Sequence, residues 1–118
     1  LYAIGAKPNG EALRTGISNP LGGDYSAIIE IANGSVATSG DYQRYYTVGG
    51  VRYHHIIDPD TRMPSEYWRS VTVVSEDSGL ADALSTALFL LPLEEGRALA
   101  QRCGAQALWV DGEGNQFQ

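Results

Sequence analysis

Between Arg69 and Pro92 the periodicity of the chain changes once, and that change restricts the fold more than any other feature. "RSVTVVSE" (69–76) is a β-branched run of strand type, whereas "LADALSTALFLLP" (80–92) repeats its apolar residues at helical spacing. Ser78 is the expected N-cap of a helix over about Gly79 to Leu91. Pro92 ends it and can open a second helix, "LEEGRALAQRC", which Gly104 stops. Everything upstream reads as strands and turns. "LYAIGA" and "LRTGIS" form a hairpin pair around the Pro8 and Asn9-Gly10 turn, "NPLGGD" is a second loop, and "YSAIIEIA" is a strand turned by "NGS". Two extended pieces flank Ser39-Gly40-Asp41, and Gly49-Gly50 turns the chain into the strand "VRYHHIID". "PDTRMPSEYW" is a loop, and "QALWVDGEGNQFQ" closes the chain as a hairpin around Gly112–Gly114. The expected class is α+β: antiparallel strands and hairpins followed by a helical pair. The 118 residues suit one domain, without internal repeat or low-complexity tract.

Charge narrows the partners. Asp and Glu outnumber Lys and Arg by 14 to 8, a formal net charge of −6, and no run of basic residues provides a nucleic-acid footprint. The single cysteine, Cys103, has no partner for an internal disulfide and reads as a small hydrophobe. The chain opens at "LYAIGAK" without Met, so it is expected to be a piece of a longer protein whose targeting segment lies elsewhere.

The helix carries polar residues where apolar ones are expected. At about 100° per residue, Leu80, Leu84, Ala87, Leu88 and Leu91 form one apolar stripe, and Ala83 and Leu90 extend it. Asp82 and Thr86, four residues apart, lie together on the other side, flanked by Ser85 and Phe89. Three readings stay open. Asp82 sits in the first turn, facing water and favouring the helix dipole, with Thr86 bonded back to the carbonyl of Asp82. Alternatively, Asp82 pairs with Arg44, Arg69 or another cation in the core. In the third reading the carboxylate and hydroxyl present two oxygens in one direction to a hard divalent cation such as Mg2+, which keeps several waters and is commonly completed by substrate phosphate.

Two other stretches carry candidate chemistry. In "RYHHIIDP" the strand places His54 and His55 on opposite faces, so only one can enter a given site; it is either hydrogen-bonded as a structural residue or free for phosphate contact or proton transfer. Asp58-Pro59-Asp60-Thr61 is a turn. "ATSGDYQRYY" reads as a glycine turn with Thr38, Ser39 and Asp41 capping backbone groups, and Tyr42, Tyr45, Tyr46 and Tyr53 either pack across strands or wall a planar ligand. Neither a dinucleotide-binding glycine motif nor a phosphate loop is present.

In the order "LYAIGAKPNGEALRTGI", "VATSGDYQRYY", "RYHHIIDPDTRMP", "SVTVVSEDSGLADALSTALFLL" and "ALWVDGEGN", these blocks resemble the ApbE family, the FAD:protein FMN transferases, over essentially the whole chain. The resemblance implies a T-fold-like domain of which residues 1–118 are the C-terminal part. It also implies an enzyme that cleaves the FAD pyrophosphate with the help of Mg2+. FMN passes to a threonine hydroxyl of an acceptor protein, typically of a redox complex in the periplasm or cell envelope, and AMP leaves. Asp82 and Thr86 match the family's metal positions, and Ser85 a third that is a carboxylate in some members. Ile57 matches a position whose backbone contacts the flavin nucleotide, and His55 the recurring histidine, an activating or phosphate-contacting residue.

The chain departs from the family pattern in two places. Arg62 stands where the turn after "DP-x-T" usually has glycine, so that loop is expected to take another shape. The family's front half does not lie within these 118 residues, and the resemblance implies that much of the FAD pocket, a further metal ligand and any lipoprotein signal that would anchor the protein to a membrane belong to that half. The chain alone is therefore expected to transfer flavin weakly or not at all, and it has the option of leaning on a second copy. Rival readings are a non-catalytic flavin-nucleotide binding module, a Mg-dependent FAD pyrophosphatase and a purely structural domain.

Overall fold

In the computed structural model, which describes residues 1–42 and 44–118, the strand–helix switch organises the whole molecule. The strands in chain order are β1 (Tyr2–Ala3), β2 (Leu13–Ser18), β3 (Tyr25–Ile31), β4 (Gly34–Gly40), β5 (Tyr45–Val48), β6 (Val51–His54) and β7 (Ser70–Ser75). Helices α1 (Ser78–Phe89) and α2 (Leu93–Arg102) follow, then β8 (Gln106–Val110) and β9 (Gln116–Phe117). The main sheet has five strands in the order β1-β4-β7-β8-β9, every pairing antiparallel, and β2-β3 and β5-β6 are separate hairpins. This is the α+β arrangement the sequence predicts.

The sheet's central strand, β7, is buried over Ser70–Val73, and its Val71 and Val73 join Ala81, Leu84, Leu88 and Phe89 of α1, Ala100 of α2 and Trp109 of β8 in one core. Helix α1 lies across β4 and β7. Its buried residues are Ala81, Leu84, Ser85, Leu88 and Phe89, while Leu80 and Ala87 are only partly covered and Ala83 is exposed. The helix is thus rolled relative to the predicted stripe. Ala81 and Ser85 are small, so turning them inward brings the helix backbone close to β4, where Ser85 finds a hydroxyl partner.

Several local expectations are corrected. Asp77, not Ser78, caps α1: its backbone is extended (φ −100, ψ 120) and its Oδ1 accepts from Leu80 N at 2.8 Å. Asp82 then falls in the second turn, and the first turn holds no acid. The helix ends at Phe89 because Leu91 precedes a proline and is pushed out of helical conformation; Leu90 N and Leu91 N bond instead to Ala87 O and Leu88 O. β1 does not pair with β2. It adds to β4, Tyr2 opposite Ser35, because the ladder from Leu13↔Ile31 to Ser18↔Tyr25 gives β2 a longer partner. "NGS" turns the chain as expected, out of β3 and into β4 of the main sheet.

The Ile56–Trp68 loop is tied to the C-terminus of α1, where helix carbonyls lack internal partners. Ser65 Oγ donates to Phe89 O at 3.1 Å and Trp68 Nε1 to Leu91 O at 2.9 Å. Within the loop, Asp58 Oδ1 accepts from Asp60 N and Thr61 N, the expected turn. Arg62 takes φ 59, the left-handed region. Arginine therefore stands in the backbone conformation that glycine favours.

Candidate functional site

Asp82 and Thr86 lie on the outward side of α1, one turn apart, and both are exposed. Among the described residues Asp82 has no ion pair, which removes the reading that seats it against an arginine. Arg69 is taken by Asp41, whose Oδ2 lies 3.0 Å from Arg69 Nη1, with Arg52 Nη1 3.8 Å from Oδ1. That cluster anchors the turn after β4, together with Asp41 N donating to Arg69 O at 3.1 Å. Tyr42 beside it has its phenol pushed up from the ordinary value, first by burial and then by the Asp41 charge.

Ser85 points the other way, into the core, at 1% exposure. Its Oγ donates to the carbonyl of Asp82 at 2.9 Å and lies 2.8 Å from Ser39 Oγ on β4. Ser39 Oγ in turn lies 3.2 Å from Thr86 Oγ1. The back-bond to the Asp82 carbonyl is therefore made by Ser85, and Thr86 reaches across to the sheet. Reading "ATSGD" as a turn missed Ser39, which sits within β4 and joins two elements separated by 46 and 47 residues. Only the presence of a hydroxyl in a strand otherwise bound for the core hinted at it.

The histidines separate as expected. His54 is buried, edge-on to Phe89, with Nε2 2.7 Å from Ser65 O and Nδ1 accepting from Ile56 N at 3.2 Å. Since Nδ1 accepts, the proton sits on Nε2, and His54 is a structural residue holding the loop. His55 is exposed, and its nearest polar partner is Arg44 O at 3.4 Å, a long contact that leaves the ring free to meet a ligand. No hydrogen bond joins His55 to Asp82, Ser85 or Thr86 among the described residues.

Ile57 forms an isolated bridge with Pro64. The bonds that flank it run through its neighbours, Asp58 N to Met63 O at 2.9 Å and Ser65 N to Ile56 O at 3.0 Å. In an antiparallel pair of this kind the bridging residue's own N–H and C=O turn outward, and those of Ile57 have no partner among the described residues. Tyr46 and Tyr53 stack across β5-β6 at 5.5 Å, a cross-strand pair whose Tyr46 remains exposed.

The oxygen set suits Mg2+ in part. Among the described residues no three His, Cys, Asp or Glu side chains converge as a metal cage. A carboxylate and a hydroxyl on one helix turn form instead an open, incomplete set, the kind that Mg2+ completes with water and phosphate oxygens. A cavity of about 460 Å³ lies elsewhere, against Ile17, Ala27, Thr72, Ala100 and Trp109, and none of the five candidate residues lines it.

Comparison with known proteins places these features in a lineage. The family model described as the ApbE family matches residues 1–109. The FAD:protein FMN transferase of Escherichia coli K12 is 35% identical over 115 residues, taking in 93% of this chain and 33% of that protein. A protein of the same name from Treponema pallidum is 42% identical over 99 residues, 80% of this chain and 27% of that one. The crystal structure of the ApbE protein of Thermotoga maritima superposes with a TM-score of 0.91 at 40% identity, covering 97% of this chain and 38% of that one. The apo Pseudomonas stutzeri flavinyl transferase ApbE gives 0.73 at 38% identity, over 97% and 36% respectively. The chain thus spans about a third of the length of these relatives.

Proposed function

Because the chain belongs to the ApbE family, we propose that it contributes the helix side of a flavin-transfer site, in a reaction that moves FMN from FAD to a threonine hydroxyl of an acceptor protein. The threonine oxygen bonds to the phosphorus of the FMN half, the pyrophosphate P–O bond breaks, and AMP leaves with the electron pair. Redox proteins of the cell envelope are the acceptors this reading expects. Its support in the relatives is their shared name, FAD:protein FMN transferase.

The observation that carries the reading is the pair of oxygens of Asp82 and Thr86, one turn apart on the outward side of α1 and free of any ion pair among the described residues. Those two residues would hold Mg2+, which supplies charge neutralisation on the pyrophosphate when bound. The outward N–H and C=O of Ile57 offer a donor and an acceptor to the nucleotide. His55, exposed and weakly engaged, is available to contact phosphate or take the threonine proton. The Ser65 and Trp68 bonds to the end of α1 keep the Ile57 loop and the helix in fixed relation, so that both can act on one substrate.

A chimera tests this. The 118 residues replace the matching third of the Escherichia coli transferase, and FAD, Mg2+ and a threonine-bearing acceptor are added. Mass spectrometry separates FMN bound to protein from free FMN. Transfer by the chimera, lost on Asp82→Ala while FAD still binds, supports the reading. Full transfer by the Asp82→Ala chimera removes the metal role, and release of free FMN alone identifies a pyrophosphatase.

A further inference from the structure

The hydroxyls of Ser39, Ser85 and Thr86 form a chain whose direction follows from proton counting. A serine or threonine hydroxyl has one proton and two lone pairs. The carbonyl of Asp82 can only accept, so the Ser85 proton goes there, across 2.9 Å. Ser85 must then accept from Ser39, 2.8 Å away, which uses the single Ser39 proton. The contact of 3.2 Å between Ser39 and Thr86 is left with one polarity, Thr86 donating. The relay runs Thr86 to Ser39 to Ser85 to the backbone of Asp82, beginning and ending on the two residues of the oxygen site.

We infer that Ser39 is a positioning residue: by accepting the Thr86 proton it leaves both lone pairs of that hydroxyl free for a divalent cation shared with Asp82. The inference rests on the metal reading of Asp82 and Thr86. A neutral hydroxyl binds a cation through a lone pair, so its proton must be held elsewhere. Without an acceptor on the sheet, the Thr86 proton can turn to the Asp82 carboxylate one turn away, and the two oxygens would satisfy each other instead of a cation. Ser85, buried at 1% exposure, acts as the second link of the relay rather than as a ligand.

The test is a Mn2+ titration of the Escherichia coli chimera, which supplies the rest of the site, followed by paramagnetic broadening of the α1 amide resonances, with four proteins in a double-mutant cycle: the chimera with the wild-type 118 residues, Ser39→Ala, Thr86→Val and both changes together. Ser39→Ala is expected to weaken Mn2+ about fivefold, the worth of one net hydrogen bond, and to have no effect once Thr86 is Val. Ser85→Ala frees the Ser39 proton to donate to Thr86; it should weaken Mn2+ in the same sense, again only with Thr86 present. An unchanged affinity in Ser39→Ala, or an equal loss in both backgrounds, overturns the positioning role while leaving the metal site standing. Absence of broadening in the wild type, or broadening unaffected by Asp82→Ala, removes the metal reading and this inference with it.

Discussion

Replacing Arg62 with glycine should stabilise the protein, and the amount can be worked from one dihedral angle. Arg62 sits at φ 59, the one described non-glycine residue with positive φ. Its N–H bonds to Asp58 O at 2.8 Å, so the turn is held in place and the residue cannot relax alone. The left-handed conformation costs an L-residue with a Cβ about 1–2 kcal/mol. Glycine removes that cost but brings back roughly 0.4–1 kcal/mol of unfolded-state entropy, for a net gain of about 0.5–1 kcal/mol. The arginine is exposed and forms no ion pair among the described residues, so little is lost with its side chain. At about 2.1 cal/mol/K per residue of unfolding entropy, a 118-residue chain should rise in Tm by about 2–4 °C. Thermal unfolding followed by circular dichroism measures it. Arg62→Ala is the control: it keeps the Cβ and should stay within about 1 °C of the wild type. A Tm that falls in Arg62→Gly, or rises as much in Arg62→Ala, refutes the attribution to backbone strain.

Two further outcomes rest on local hydrogen bonding. Asp77→Ala removes the α1 cap and should cost about 1 kcal/mol, whereas Ser78→Ala should be close to neutral; denaturant midpoints that reverse this order would return the cap to Ser78. Asp111 is held below the ordinary carboxylate range, chiefly by the side chain of Asn115 and also by the backbone N–H groups of Asn115, Glu113 and Gly114. A lowered folded value stabilises above the unfolded value of about 3.9 and is lost as pH falls through the folded one. The Tm advantage over Asp111→Asn should therefore be full at about pH 6 and shrink below about pH 4, and a gap constant down to about pH 3 would contradict this.

What could be read from the residue order is what short-range geometry dictates. The β-branched run before α1, Pro92 between the helices and Gly49-Gly50 between β5 and β6 constrain backbone dihedrals directly, and each element appeared where those residues put it. Asp82 and Thr86 share a helix face because they are four residues apart, and His54 and His55 diverge because they are adjacent in the chain where the strand ends. The partners across space were decided only by packing. Whether β1 joins β2 or β4, how far α1 rolls, and which hydroxyl meets Ser85 depend on competition among surfaces distant in the chain, and the longest ladder and closest fit win. Ser39 illustrates the division: its residue type allowed a bond, but only the folding of β4 under α1 gave that bond a partner and a direction.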